Sequence, residues 1–293
     1  MTLSVTCFDD VEQFWARVAP LLLANEARDN LMLGIIATLR GQPDLYDEKL
    51  LACVEDDGQV VAAVLTTPPW NAVVSDVAPA AADRAADVCD LAVQALVSKF
   101  AHPSGVTAST ATARNVVDSW RRHTGASARF HRGQGVYSLK RVIAPQDAPG
   151  TWRTATVADE ELVLDWYKAF HDEVHLDDAP LQIMERQLKA KLRGAVGGID
   201  LWVDDGRPVS LTGWSPATPN GARIGPVYTP PACRGRGYAS SLVAATTQRL
   251  LDEGRRHCFL YTDLDNPTSN RIYQAIGYEQ VGVSEDWRFQ VAS

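Results

Sequence analysis

The sequence predicts an α/β (α+β) fold built as two mixed-sheet halves in tandem, on three observations. Short apolar runs of strand type alternate with longer helical patterns. One stretch, Ala144-Pro145-Gln146-Asp147-Ala148-Pro149-Gly150, breaks that alternation, being rich in Pro and Gly without apolar periodicity, and reads as a linker near mid-chain. A strand–turn–strand pattern occurs once on each side of it.

The repeated pattern is Val54-Glu55-Asp56-Asp57-Gly58-Gln59-Val60-Val61 and Trp202-Val203-Asp204-Asp205-Gly206-Arg207-Pro208-Val209. Each is an apolar strand, an acidic turn ending in Gly and a second apolar strand, and each meets a proline a few residues on, Pro68 or Pro216. Asp-Gly between apolar runs is a strong hairpin signal. Asn115 to Gly125 loosely echoes Asn270 to Gly277, each a short helix closed by Gly. Acidic hairpins are common, so the hairpin alone does not establish a duplication; the repeated order of elements argues for one. The expected division is residues 1–145 and 151–293.

The elements of the second half follow in order. A strand near Trp152–Thr156 precedes a helix near Asp159–His171, and Asp178–Leu192 reads as another helix. Strands are expected over Asp200–Asp204 and Pro208–Trp214, and Asn220-Gly221 turns the chain into a strand at Arg223–Thr229. A helix over Tyr238–Glu253 stops at Gly254, a natural C-cap. Cys258-Phe259-Leu260-Tyr261-Thr262 reads as a buried strand. Asn266 caps a further helix, with Pro267 at its first position, where a missing N–H costs nothing, and Gly277 ends it. Two short strands, Tyr278–Val281 and Trp287–Val291, are expected to finish the chain.

Composition excludes several classes of function. The 293 residues are 46% hydrophobic and 22% charged, suited to one large or two ordinary globular domains. A net charge of −8 argues against nucleic-acid binding, which needs clustered Lys and Arg. Five cysteines without CxxC spacing suggest reduced thiols rather than a disulfide framework or a zinc site. Leu21-Leu22-Leu23 is too short to span a bilayer, and no basic segment leads into an apolar one at the N-terminus. The expectation is a cytoplasmic protein with no membrane partner; the oligomeric state is not legible.

Chemistry concentrates in Arg223-Ile224-Gly225-Pro226-Val227-Tyr228-Thr229-Pro230-Pro231-Ala232-Cys233-Arg234-Gly235-Arg236-Gly237-Tyr238-Ala239, read as strand, loop, helix. The first N–H groups of a helix have no intrahelical partner and carry partial positive charge. Small residues let an anion approach them, and Gly235, Gly237 and Ala239 supply clearance while Arg234 and Arg236 supply charge. The loop should hold a pyrophosphate. A P-loop is rejected because no Lys lies here. A dinucleotide fingerprint fits poorly, because Pro230 to Arg234 separate the strand from the first Gly.

Arg234-Gly235-Arg236-Gly237-Tyr238-Ala239 resembles the acyl-CoA signature Gln/Arg-x-x-Gly-x-Gly/Ala of the GNAT superfamily of N-acetyltransferases. Asn266-Pro267 through Asn270-Arg271-Ile272-Tyr273-Gln274-Ala275-Ile276-Gly277-Tyr278 resembles that family's Asn…Tyr…Gly-Phe/Tyr segment. The resemblance covers about the last 140 residues and implies two GNAT-like halves, the first of them degenerate. It implies acetyl-CoA as co-substrate, a small-molecule or peptide amine as acceptor, and no metal. The amides of Arg234, Gly235, Arg236, Gly237, Tyr238 and Ala239 would bind the CoA pyrophosphate. The backbone of Val227 and Thr229, on a strand splayed from its neighbour, would pair with pantetheine amides. Asn266 or Asn270 would contact pantetheine, and Tyr273 would protonate the leaving thiolate.

The reaction itself needs a neutral amine, a donor to the tetrahedral oxyanion, for which a backbone N–H suffices, and an acid for the thiolate, which a phenol can supply. Many family members carry a Glu on the splayed strand; here Val227-Tyr228-Thr229 offers no carboxylate. Glu173, in the acidic run His171-Asp172-Glu173-Val174-His175-Leu176-Asp177-Asp178, is the candidate base; the alternatives are a solvated helix end or a water chain as base. His171 and His175 have helical metal-ligand spacing but no third ligand, so capping or surface roles are expected. Cys233 borders the loop without a nearby His, Cys258 reads as core, and Trp166, Trp202 and Trp214 read as core, with Trp214 and Tyr228 alternatively reaching the acceptor cleft. In the first half, Val77-Ala78-Pro79-Ala80-Ala81-Ala82-Asp83-Arg84 stands where a phosphate loop would be and has no glycine, so a structural or acceptor-site role is expected there. A non-catalytic acyl-CoA-binding module is the alternative to an enzyme.

Overall fold

The computed structural model describes residues 2–146, 148–174 and 181–290, the side chains of 181–183 excepted. It divides into two compact units, Met1–Val136 with Gly282–Ser293, and Tyr137–Val281. The Pro/Gly stretch at 144–150 thus falls inside the second unit, and the last strand of the chain belongs to the first. Local composition marked where the chain lacks periodicity; long-range strand pairing decides where a unit ends.

The first unit runs β1 (Leu3–Phe8), α1 (Val11–Ala24), α2 (Asn30–Gly41), β2 (Leu50–Asp56), β3 (Gln59–Thr66), β4 (Ala72–Val74), α3 (Ala85–Lys99), β5 (Gly105–Ser109), α4 (Thr110–Thr124) and the start of β6 (Ala128–Leu139). The second takes over at Tyr137 and continues β7 (Thr151–Thr154), α5 (Glu160–Glu173), α6 (Leu181–Leu192), β8 (Gly198–Asp204), β9 (Arg207–Pro216), β10 (Gly221–Tyr228), α7 (Tyr238–Asp252), β11 (His257–Asp263), α8 (Pro267–Ile276) and the start of β12 (Glu279–Phe289). The expected pair of short C-terminal strands is one strand, in which Ser284–Arg288 run antiparallel against Ser109–Gly105 of β5. Val291 and the first part of the expected Asp178–Leu192 helix lie outside the described residues.

In the first unit the strand order is β1-β2-β3-β4-β5-β12-β6, and in the second β7-β8-β9-β10-β11, with the end of β6 beside β11. Strand alternation sorts the cores. Leu50, Ala52 and Val54 pack with Val88, Leu96 and Trp120 of α3 and α4, while Leu51 and Cys53 pack with Phe14, Leu22 and Ile36 of α1 and α2. In the second unit Ile199, Leu201, Leu211 and Tyr228 pack under α5 and α6. Ala222, Ile224, Cys258 and Leu260 pack with Val243, Leu250, Ile276 and Tyr278 on the opposite face.

The two hairpins match residue for residue. Their turns place Asp57 at φ 47° and Gly58 at 81°, and Asp205 at 49° and Gly206 at 71°, the double positive φ of a tight hairpin whose twist suits the strands. In β2–β3 the register runs Asp56↔Gln59, Glu55↔Val60, then Val54↔Ala62, with Val61 extra. In β8–β9 it runs Asp204↔Arg207, Val203↔Pro208, then Trp202↔Ser210, with Val209 extra. An identical bulge at an identical offset is a specific backbone feature, of a kind retained between related structures. Both units then carry a 15-residue helix, α3 or α7, and α4 and α8 both end on a left-handed glycine, Gly125 at φ 68° and Gly277 at φ 107°.

Asp200 fixes α7 over the sheet of the second unit. Its carboxylate is fully buried and receives Arg249 Nη2 at 2.8 Å, Thr246 Oγ1 at 2.9 Å and Thr154 Oγ1 at 3.0 Å. A buried charge so completely paired is costly to break, so these bonds hold α7 in a single position.

Candidate active site

Strand β10 leaves its neighbour halfway along. Its parallel register with β11 covers Gly221–Arg223 against His257–Phe259, although β10 continues to Tyr228 and β11 to Asp263. On the other side β10 keeps its pairing with β9 through a bulge, where Gly225 and Pro226 stand opposite the single residue Gly213. Gly225 has φ 138°, a conformation suited to glycine, and Pro226 has no N–H for a ladder. A side chain at Gly213 would not fit: its Cβ would lie 2.7 Å from the Gly225 carbonyl oxygen and 2.8 Å from Tyr167 Oη. The parallel register with β11 thus ends just before the bulge.

The loop after β10 is a short 3-10 turn, Pro231–Cys233, leading to α7. Gly235 at φ 77° and Gly237 at φ 80° supply two left-handed positions, Gly237 as the N-cap. A Cβ at Gly235 would meet nothing within 4 Å, and one at Gly237 only Ala148 Cβ at 3.6 Å. Among the described residues, the first amide after this loop with a backbone acceptor is that of Ser241, bound to Gly237 O at 3.0 Å. The amides before it form the start of α7, where partial positive charge gathers. Tyr238 contributes only main chain to this surface, for its ring is buried with Trp202, Val209 and Leu242 and its hydroxyl donates to Asp204. Ala239 is half-buried in the first turn and Arg236 is exposed.

Arg234 is already engaged. Its Nε donates to Thr229 O at 2.8 Å, Nη2 reaches both oxygens of Glu173 at 2.7 Å, and its guanidinium lies 5.9 Å from the Tyr228 ring centroid. The Thr229 carbonyl holds the arginine and its hydroxyl pairs with Ser210 Oγ at 2.8 Å, while Val227 stands in register with Thr212 of β9. The Glu173 carboxylate is bridged on both oxygens, so taking up a proton there would break the ion pair.

The second motif lies on the β11–α8 connection and α8. Asn266 Oδ1 accepts from Ser269 N at 3.0 Å and is the N-cap of α8. Asn270 Nδ2 ties down the β11–α8 turn through Asp263 O at 3.0 Å and Leu264 O at 3.3 Å, while its Oδ1 is buried with no partner among the described residues. Between the two asparagines, the one holding an unused acceptor is Asn270. Tyr273 stands half-buried, 6.2 Å from Tyr278, and packs into the cluster that also takes Val227. Burial pushes its phenol up to about 12.

Helix α5 packs on β10 and holds Tyr167, which sequence reasoning passed over. Tyr167 Oη and His171 Nε2, one helical turn apart, are buried and without a hydrogen-bond partner among the described residues. His171, for which a capping or surface role was expected, is half-buried in the last turn of α5 with its Nε2 shielded; His175 lies outside the described residues. Lys191, on α6, is the other unforeseen group. Its Nζ donates to Trp214 O at 3.0 Å, and burial, with the Arg223 charge, pulls its pKa down to about 7. Apolar periodicity on α5 and α6 gives no hint of these polar atoms, since each occupies a position where a core residue would serve.

The other candidates take structural places. Trp202 is buried, with Nε1 donating to Pro149 O at 2.8 Å; Trp214 lies under Arg249 at 5.0 Å; Trp166 packs 6.0 Å from Tyr228. Cys258 is buried and its thiol pushed up to about 12, whereas Cys233 is half-buried. Among the described residues no three His, Cys, Asp or Glu side chains gather as a metal site, and no helix is long and apolar enough to cross a membrane.

Residues 203–288 match the family model described as FR47-like protein. No curated protein matches the sequence. Solved structures similar over nearly the whole chain include a GCN5-related N-acetyltransferase from Sphaerobacter thermophilus, with 17% identity, TM-score 0.63, and coverage of 98% of this chain and 95% of that one. A tandem GNAT protein from the clavulanic acid biosynthesis pathway aligns at 17% identity and TM-score 0.62, covering 99% and 98%. A GNAT-family acetyltransferase from Colwellia psychrerythraea aligns at 12% identity and TM-score 0.60, covering 99% and 100%. The fold is that of the GNAT acetyltransferases, doubled in tandem, as the sequence resemblance implied.

Proposed function

We propose that the second unit is an acyl-CoA-dependent N-acyltransferase that moves an acetyl group from acetyl-CoA directly to a primary amine. One observation carries the reading: a strand that departs from its parallel neighbour at Arg223 runs into a loop with two left-handed glycines at the N-terminus of α7. The amides of Gly235 to Ala239 would take the pyrophosphate, the β10 main chain at Val227 and the free Asn270 Oδ1 the pantetheine arm, and the opening beyond the bulge the thioester. The amine nitrogen forms a bond to the thioester carbon, and the C–S bond then breaks. Tyr273, a phenol that carries its proton at neutral pH, would supply the proton to the departing sulfur. Glu173 in this reading holds Arg234 against Thr229 rather than acting as base.

The first unit is assigned a structural role. In the place of a glycine loop it has the turn Pro79–Arg84, and a Ser109 hydroxyl bond to Asp76 joins the end of β5 to the segment after β4.

The experiment is thiol release from acetyl-CoA with a panel of primary amines, alongside calorimetric binding of acetyl-CoA. Turnover with at least one amine is expected, and Tyr273→Phe should lower kcat by about 10²-fold or more while acetyl-CoA affinity holds. Unchanged turnover in that variant removes the acid role. Tight binding of acetyl-CoA with no amine acetylated would favour a sensor over an enzyme.

A further inference from the structure

The phosphate loop has little restraint of its own. Gly235 and Gly237 both sit at positive φ, and a Cβ at Gly235 would meet nothing within 4 Å. Glycine has the widest conformational freedom of any residue, so amides in such a loop converge on an anion cheaply only if the ends of the loop are held. One end is held by Arg234, through Thr229 O and Glu173. The other end is Tyr238, the first residue of α7.

Tyr238 is 2% exposed, and its ring packs with Trp202, Val209 and Leu242. A phenylalanine would serve that packing equally. What distinguishes tyrosine is the hydroxyl, which donates to Oδ2 of Asp204, the last residue of β8. Asp204 leads into the turn Asp205-Gly206, whose two positive φ values and closing pair Asp204↔Arg207 define its backbone. The bond therefore runs from a tight hairpin to the helical residue that directly follows Gly237. Arg236 is exposed between the two held ends.

The first unit carries the same tie in different chemistry. Asp56 is the counterpart of Asp204, paired with Gln59 across the turn Asp57-Gly58. It forms an ion pair with Arg84, the N-cap of α3. One hairpin position thus reaches the start of the following helix in both units, but the segments held are unlike. Arg84 closes the turn Pro79–Arg84, which contains no glycine, whereas Tyr238 closes a loop with two left-handed ones. In the first unit the tie consumes a guanidinium; in the second a neutral phenol makes it, and no cation of the loop is spent.

We propose that Asp204 and Tyr238 are positioning residues for the diphosphate of acetyl-CoA: their hydrogen bond fixes the start of α7, so that the amides of Gly235 to Ala239 converge before the ligand arrives. This rests on the N-acyltransferase reading above. Neither side chain meets the thioester. Preorganising the loop removes part of the ordering cost of binding, and the gain falls only on ligands that carry the diphosphate.

The test uses the full chain. Calorimetry measures acetyl-CoA directly and S-acetylpantetheine, which has the thioester arm without the diphosphate, as its competitor. Tyr238→Phe keeps the buried ring and loses the hydroxyl; it should weaken acetyl-CoA about tenfold and leave S-acetylpantetheine unchanged. Asp204→Ala, a change on the hairpin, should show the same selective loss and covers the case in which the Tyr238 variant does not fold. Asp204→Asn keeps an oxygen that accepts from the phenol and should recover most of the affinity. A bond that merely stabilised the fold would lower the melting temperature and weaken both ligands alike or neither; either result overturns the proposal while the acetyltransferase reading stands. So does an Asp204→Asn variant as weak as Tyr238→Phe, which would make the charge rather than the tie responsible. Wild-type protein that binds no acetyl-CoA overturns both.

Discussion

Lys191 shows how one buried group turns packing into a pH dependence. Its Nζ donates to Trp214 O at 3.0 Å, and burial brings its pKa to about 7 against an ordinary 10.5. Between those two values the unfolded chain holds a proton that the folded chain has given up. Stability therefore rises with pH across that window, and below it both states are protonated and the full cost of burying the charge is felt. Lys191→Met abolishes the difference. The unfolding midpoint of the wild type, measured relative to this variant, should climb from pH 6 to pH 9; parallel curves would show that the amine is solvated. Neither Lys191 nor the Tyr167–His171 pair was legible from sequence, because burial of a polar atom depends on what the opposing strand presents. Gly213, the residue that lets Tyr167 approach the bulge, is one of 20 glycines and carries no local mark of its importance. The residues of the phosphate loop were legible, because glycine spacing at a helix start has a direct backbone consequence.

At the level of elements, capping signals were readable and strand pairing was not. Asn266 with Pro267 at the first helical position begins α8 where expected, and Gly277 at φ 107° ends it. The same asparagine was a candidate for pantetheine contact, and the two roles separate by substitution. Asn266→Ala should destabilise the protein by about 1 kcal/mol through the lost bond to Ser269 N, while Asn266→Asp should retain the cap. Acetyl-CoA affinity should be the same in both, since the side-chain oxygen is committed to the helix; a parallel loss of affinity in calorimetry would return Asn266 to the binding site. The length of β12 escaped sequence reading because its partner strand, Gly105–Ser109, lies far away in the chain, and only that pairing joins the two expected short strands into one. The bulge in β10 was foreshadowed by Pro226, but its register against Gly213 was not.

On the scale of the whole molecule, the chain's own division and its composition disagree in a testable way. A cut at the linker, giving residues 151–293, would discard Tyr137 and Leu139, each 1% exposed in the core shared with α7, β11 and α8. It would also remove the bond from Ile143 N to Ile276 O at 2.7 Å, which closes the end of α8 just beyond Tyr273. The same cut would keep Gly282–Ser293, a segment whose partner strand β5 belongs to the first unit. An unpaired strand of that kind is an aggregation hazard. Residues 137–281, although shorter at the C-terminus, retain the whole core cluster around Ile224, Leu260 and Ile276 together with the loop and the splayed strand. The expected outcome is that 137–281 unfolds cooperatively and binds acetyl-CoA, whereas 151–293 melts lower or aggregates and binds weakly. Equal melting and equal affinity for the two pieces would mean that the exchanged strands add little, and that the linker read from composition marks the working boundary after all. The duplicated hairpins, with their shared bulge at Val61 and Val209, fit the first outcome: if two copies of one unit were joined and then traded terminal strands, repeats would remain visible in sequence while the exchange would not.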